Sequence, residues 1–311
     1  MRILVTGGAG FIGSQVADAA LAAGHEVMVV DDLSTGRREN LPSQARFVEL
    51  DIRQGEALAK AIADFKPNMV SHQAAQTSVA ISTREPIRDA EINVLGSINL
   101  LNACVQSGVE RVVFASTGGA IYGEVPEGER RKEGDRATPL SPYACSKYAV
   151  EAYLAFYRHE YGLQSTVLRY ANVYGPRQDP HGEAGVVAIF AQRLLAKQPL
   201  QINARREKGD DGCVRDYVFV DDVVRANLAA IDGTITDPII NVCTGEATST
   251  RRLAEELQRV LGTQAELRAG DRRPGDVERS VLDPTRIVSI LGSLTSLTDG
   301  LKKTGDWFAR R

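Results

Sequence analysis

The segment Thr6-Gly7-Gly8-Ala9-Gly10-Phe11-Ile12-Gly13 constrains this chain more than any other. It follows a short apolar run, Ile3–Thr6, and opens a stretch of small residues from Phe11 to Ala23 that Gly24 closes. Strand, glycine turn and helix in that order form the entry to a βαβ unit. Glycines at 7, 10 and 13 suit a tight turn with positive φ, a backbone that comes close to a pyrophosphate, and a helix packed closely on its sheet. The helix start then aims free N–H groups and the positive end of its dipole at negative charge. The candidate cradle is Gly7, Gly10, Phe11, Ile12 and Gly13. Asp31-Asp32 ends the next strand, Glu26–Val30, 18 residues beyond Gly13. A carboxylate at about that interval accepts from an adenosine ribose and repels a 2′-phosphate. The pair predicts NAD as cofactor, against the pull of Arg37 and Arg38 toward NADP.

The alternation continues. Arg46–Leu50, Asn68–Ser71, Arg111–Ala115 and Ser165–Arg169 read as strands, and Ala57–Phe65 as a helix. A long helix over Asp89–Ser107 carries Ile92, Leu95, Ile98, Leu101 and Val105 at helical spacing, and a second runs from about Tyr143 to Tyr161. The pattern predicts an α/β fold: a doubly wound parallel sheet of Rossmann type with a smaller C-terminal substrate domain. Residues 1–170 form the dinucleotide-binding domain, with a segment near 215–243 returning to it, and 171–311 are mainly substrate domain. Beyond Arg169 the periodicity loosens, Asn172–Gly185 reads as a loop, and Leu253–Leu261 and Thr298–Phe308 read as helices. Asp51-Ile52 follows the third strand and is placed against the adenine. His72-Gln73-Ala74-Ala75 follows the fourth, where Ala74 and Ala75 let the backbone approach the cofactor; His72 reads as a structural hydrogen-bonder.

Charge and cysteine usage narrow the classes. A net charge of -3 with only short basic runs argues against nucleic acid as a partner. Cys104, Cys145, Cys213 and Cys243 form no close pair, which predicts free thiols, no metal site and a reducing, cytoplasmic setting. The N-terminus has no signal-peptide pattern, and no apolar run reaches the roughly 20 residues that span a bilayer.

Tyr143-Ala144-Cys145-Ser146-Lys147 places a phenol and an ammonium one helical turn apart. A free tyrosine is almost wholly neutral at pH 7. A positive charge at roughly 4 Å contributes about 4 kcal/mol toward its ionised form at an effective dielectric near 20. Burial works the other way. Tyr143 is therefore a candidate general base for a hydroxyl proton. The strand before this helix ends at Ala115-Ser116-Thr117, which offers a hydroxyl to share a proton with the substrate oxygen. The competing reading is an amphipathic helix with a buried tyrosine and a snorkelling lysine.

Five motifs together resemble one family. TGGAGFIG at 6–13, ASTGGAIYG at 115–123, SPYACSK at 141–147, LRYANVYGPR at 168–177 and RDYVFVDDV at 215–223 resemble the extended short-chain dehydrogenase/reductase superfamily. Within it they are most similar to the UDP-glucose 4-epimerase branch of the NAD-dependent epimerase/dehydratase family. The resemblance implies Tyr143 as base, Lys147 on the nicotinamide ribose and Thr117 as the hydroxyl partner. It implies Tyr170 against the nicotinamide and Asn93 in the site wall. It implies Asn172, Arg215 and Arg273 on the sugar diphosphate and Asp276 on the uridine ribose. Arginine suits such bidentate phosphate contacts. Family dehydratases carry an Asp-Glu pair after the catalytic threonine; here Gly118-Gly119 stands there, which points to epimerisation. Ser280 falls where family members differ in bulk, and a small residue there leaves room for an N-acetyl group. The implied activity is interconversion of UDP-glucose and UDP-galactose with tightly held NAD, in a homodimer built on the two long helices. Another nucleotide-sugar epimerase, a decarboxylase, a dehydratase, or a non-catalytic NAD-binding regulator stays open at this point.

Overall fold

The computed structural model describes residues 1–180, 185–273 and 275–310. The chain divides into two compact units, each formed from separate stretches of sequence.

The first unit comprises Met1–Thr117, Ser141–Arg169 and Val224–Ile240. Its strands β1 (Arg2–Thr6), β2 (Glu26–Asp31), β3 (Arg46–Glu49), β4 (Met69–His72), β5 (Arg111–Thr117) and β6 (Gln164–Tyr170), with Ile239–Val242, make a seven-stranded sheet. The order is Ile239–Val242, β6, β5, β4, β1, β2, β3. β1 pairs in parallel with β2 and β4, β2 with β3, and β4 with β5, with Leu4 against Met28 and Val70, and Val70 against Val112. Runs such as Ile3–Val5 and Val27–Val30 are buried throughout, as strands covered on both faces require. Winding reverses between β1 and β4, and a crevice at such a reversal is where open α/β sheets bind ligands.

Helices up to residue 161 are α1 (Phe11–Ala22), α2 (Gly55–Phe65), α3 (Val79–Arg84), α4 (Pro86–Ala90), α5 (Gly96–Gln106), α6 (Gly118–Ile121) and α7 (Pro142–Tyr161), all but α6 in the first unit. One core joins Leu4, Met28 and Val70 of the sheet to Leu58 and Ile62 of α2, Leu100 and Leu101 of α5, and Val150 and Leu154 of α7. The helix expected over Asp89–Ser107 is interrupted. It starts at Pro86, widens into a π turn over Glu91–Leu95 and resumes as α5.

The second unit comprises Gly118–Leu140, Tyr170–Val223 and Asn241–Arg311. The departure of residues 118–140 from the first unit was not foreseen from sequence. It is held by Val125 N donating to Arg279 O and Arg131 N to Val281 O. The stretch expected to be loop from Asn172 contains a strand, Asn172–Tyr174, paired in parallel with Tyr217–Phe219; residues 181–184 of that stretch lie outside the described residues. A helix at Val186–Leu195 was also not anticipated, nor was one at Val220–Ile231, most of which belongs to the first unit. Among the described residues no helix is long and apolar enough to cross a membrane.

Candidate active site

The glycine turn sits at the carboxyl end of β1. Gly7 has φ 67°, and a Cβ there would lie 2.6 Å from the Ala74 nitrogen; one on Gly13 would lie 2.2 Å from Gly7 O. Side chains are excluded at both positions, one by the segment after β4 and one by the turn itself. Thr6 binds the two segments together: its hydroxyl meets His72 Nδ1 at 2.7 Å and accepts from Ala74 N at 3.3 Å. No side chain caps the first turn of α1 at Gly10. Its leading N–H groups, with Phe11 and Ile12 half-buried beside them, are thus placed to meet a phosphate.

The two aspartates have different tasks. Asp31 is buried and accepts from Ala9 N and Leu33 N, both at 2.9 Å, so it braces the glycine turn. Burial pushes its carboxyl up, and those two N–H bonds pull it down. An ionised carboxylate has about four acceptor sites, so capacity remains for ribose hydroxyls. Asp32 is exposed and accepts from Ser34 N and Oγ. Arg38 pairs with Glu49 and stacks 5.4 Å from the Phe47 ring centroid, and Arg37 lies 3.6 Å from Glu39. Both arginines thus have carboxylate partners already. The donor set fits NAD: a cradle that admits no Cβ, an uncapped helix start and a carboxylate at the ribose position.

Asp51 holds Arg53 through its side chain and backbone, which keeps the carboxyl below its usual range. Ile52 is buried, and Ala74 and Ala75 are half-buried. Asn93 lies on the π turn with its amide engaged by protein groups. It accepts from Gln76 N at 2.8 Å and donates to Gln76 O, Asp89 Oδ1 and Ser146 Oγ. The expected wall residue thus ties the segment after β4 to α7.

The start of α7 is fixed locally. Pro142 occupies the first helical turn, and Ser141 caps it by accepting from Ala144 N at 3.2 Å. Tyr143 follows at once, half-buried, with Lys147 one turn on along the same stripe. Lys147 is 3% exposed; its Nζ donates to Ala115 O at 2.9 Å and lies 4.8 Å from the Phe114 ring centroid. The ammonium is thereby pinned to β5, two residues before Thr117, which ends that strand and is buried. His72 is wholly buried between Thr6 and Ser97 Oγ, 2.9 Å away. Burial, then the Lys147 charge, lower its pKa to about 3, so it is neutral and structural as expected.

In the second unit, Tyr170 is buried and Asn172 opens the short parallel pair, with its Oδ1 3.2 Å from where a Cβ on Gly119 would stand. Arg215 and Ser280 are register partners in adjacent strands. Arg215 Nη1 donates to Val214 O, and Ser280 is buried. Burial pushes the Cys213 thiol up, the Arg215 charge lowers it and the Asp276 charge raises it. Arg273 meets the Asn203 side chain when that amide turns its oxygen toward it, at 2.6 and 2.9 Å. Asp276 N donates to Arg273 O at 3.4 Å.

Sequence reasoning missed Asp216 and Glu151. Asp216 is buried beside Arg215 and accepts from Thr244 N and Oγ1, Gly245 N and Leu282 N. Burial raises its carboxyl and these bonds oppose that. Its sequence signal is its place in the motif RDYVFVDDV, between Arg215 and the apolar run Tyr217–Val220.

A parallel sheet with a glycine cradle, a buried carboxylate at the end of the second strand and a Thr, Tyr and Lys set defines a nicotinamide-dinucleotide enzyme of short-chain dehydrogenase/reductase type. The model of the NAD dependent epimerase/dehydratase family matches residues 3–243, and the chain belongs to that family. A UDP-glucose 4-epimerase from Mycolicibacterium smegmatis is 45% identical, over 100% of this chain and 99% of the relative. The crystal structure of Thermus thermophilus UDP-glucose 4-epimerase in complex with NAD superposes with a TM-score of 0.95 at 51% identity, covering 99% of each chain. That of UDP-glucose 4-epimerase with UDP-glucose from Thermotoga maritima gives 0.93 at 47% identity, over 100% of this chain and 99% of the other.

Proposed function

We propose that this chain is an isomerase that interconverts UDP-glucose and UDP-galactose by oxidising and re-reducing C4 of the hexose. The observation that carries the reading is the buried Lys147 ammonium, fixed on Ala115 O one turn from Tyr143 and two residues from Thr117. The redox chemistry at C4 is what NAD supplies when bound, and Gly7, Gly10, Gly13 and Asp31 are the groups that would hold it. Tyr143 takes the C4 hydroxyl proton and returns it after the keto sugar has turned its other face. Lys147 favours the ionised phenol, and Thr117 shares the proton with the sugar oxygen. Arg215 and Arg273 grip the diphosphate, with Asn172 beside them and Asp276 on the ribose, so the hexose is free to turn while the nucleotide stays.

Gly118 and Gly119 carry no titratable group, so the position after Thr117 has no acid or base for eliminating water; this favours epimerisation over dehydration. Small, buried Ser280 beside Arg215 supports acceptance of 2-acetamido sugars as well. The active form is a homodimer through the π-interrupted helix and α7. The four free thiols support a reducing, cytoplasmic setting.

The test is UDP-galactose mixed with purified protein and no added NAD, followed by product analysis. UDP-glucose accumulating to a fixed ratio is expected. Tyr143→Phe should keep bound NAD and lose about 10²- to 10⁴-fold in kcat. No product with or without added NAD, or full activity in the phenylalanine variant, defeats the reading.

A further inference from the structure

Glu151 stands one turn after Lys147 and two turns after Tyr143 on the same stripe of α7. Its carboxylate is buried, and no step proposed above uses it. Ser116 Oγ donates to its Oε1 at 2.6 Å from β5. Arg169 in β6 donates to the same oxygen through Nε at 3.0 Å and to Oε2 through Nη2 at 2.5 Å. All three residues are 7% exposed or less. The cluster joins the catalytic helix to the two strands that end at Thr117 and Tyr170.

We propose that the Ser116–Glu151–Arg169 cluster is a positioning device, which fixes the register of α7 on β5 and β6 and so the placement of the Tyr143 phenol against the reacting hydroxyl. This rests on the epimerase reading. Three features support it. Replacing a buried ion pair with well-packed apolar residues is often neutral or stabilising, so stability alone is a weak reason for this one. The bidentate fork of Arg169 and the short Ser116 bond fix direction as well as distance, as apolar packing does not. The cluster also neighbours the reacting groups in sequence on both sides. Ser116 precedes Thr117, and Glu151 lies about 12 Å along the helix from Tyr143, so a slip of one residue at the cluster moves the phenol by about 1.5 Å. A misplacement of about 1 Å can cost about 10²-fold in rate.

The test compares wild type with the double variant Glu151→Leu/Arg169→Met, which removes both charges and keeps an apolar filling. Substrates are UDP-galactose and the same sugar deuterated at C4. The variant is expected to fold, keep NAD and hold KM within about two-fold, while kcat falls about 10- to 100-fold and its deuterium isotope effect grows. A growing isotope effect marks a slower C4–H step, which a merely structural role would not produce. Ser116→Ala, which deletes only the 2.6 Å bond, provides the second arm if the double variant does not fold, with about a 3- to 10-fold loss of kcat and the same isotope signature. Activity within two-fold of wild type, or a loss that follows thermal stability with an unchanged isotope effect, overturns the proposal. An inactive wild type overturns the epimerase reading itself, a distinguishable failure.

Discussion

His72 shows how much of a residue's behaviour its neighbours decide. A histidine at a strand end next to a cofactor cradle is an obvious candidate for catalysis. Here both ring nitrogens are engaged, by Thr6 and Ser97, and the pKa falls to about 3. The unfolded chain takes a proton near pH 6.5 and the folded chain does not, so this contribution to stability is complete above that pH. It is lost as pH falls toward 3, at about 1.4 kcal/mol per pH unit. Asp31 and Asp216 have raised carboxyls and push in the opposite direction, so the comparison must be with a variant. Between pH 6.5 and 5, urea unfolding of wild type should show about 1.6 kcal/mol more loss than His72→Gln. Equal pH slopes in the two proteins would remove His72 from this role. The residues legible in the sequence were those whose chemistry needs a local spacing: Gly7 to Gly13, Tyr143 with Lys147, and an aspartate after β2. What spacing could not tell was which aspartate turns inward, Asp31 or Asp32. It also could not find Glu151, whose partners lie 35 and 18 residues away in sequence.

At the scale of elements, the first half of the chain was readable because its strands and helices are separated by glycine, proline or polar breaks. The second half carries as many glycines and prolines, but they do not separate all of its elements. Tyr217–Phe219 runs straight into the helix at Val220 with no capping break, and Val186–Phe190 is an apolar run that suits strand or helix equally. The π turn at Glu91–Leu95 was invisible for another reason: its apolar spacing matches that of an ordinary helix closely enough. The turn brings Asn93 inward, where its amide satisfies the backbone of Gln76 and reaches Ser146 in α7. Asn93→Ala leaves Gln76 N buried without that acceptor. It should cost about 2–3 kcal/mol in urea unfolding, with bound NAD retained at neutral pH. A change below about 0.5 kcal/mol would mean that water or a backbone shift replaces the amide, and that the wide turn does not depend on it.

At the scale of the molecule, the outward face of α7 is unlike the surface helix of a monomer. Cys145, Tyr148, Ala152, Tyr153, Ala155 and Phe156 are exposed, and none carries a charge. Tyr148 is 43% and Phe156 48% exposed. Beside α7, with which they pack, the helical segments from Pro86 to Gln106 expose Ile87 at 75% and Leu95 at 55%. A surface helix of a monomer normally turns a charged stripe to water. Exposed apolar side chains gathered on two packed helices suit an interaction surface instead. Two copies meeting through a twofold axis would place like helix on like helix and cover both faces at once, as a self-complementary contact does. Light scattering should therefore give twice the chain mass of 33.7 kDa at micromolar concentration. Leu95→Glu combined with Phe156→Glu should halve that mass while leaving bound NAD in place, since neither side chain belongs to the cradle. A wild-type protein that scatters as a single chain would refute the dimer, and the apolar face would then need another partner. If the charged variant dimerises as well as wild type, the contact lies on a different face, and the exposure of Tyr148 and Phe156 has some other cause.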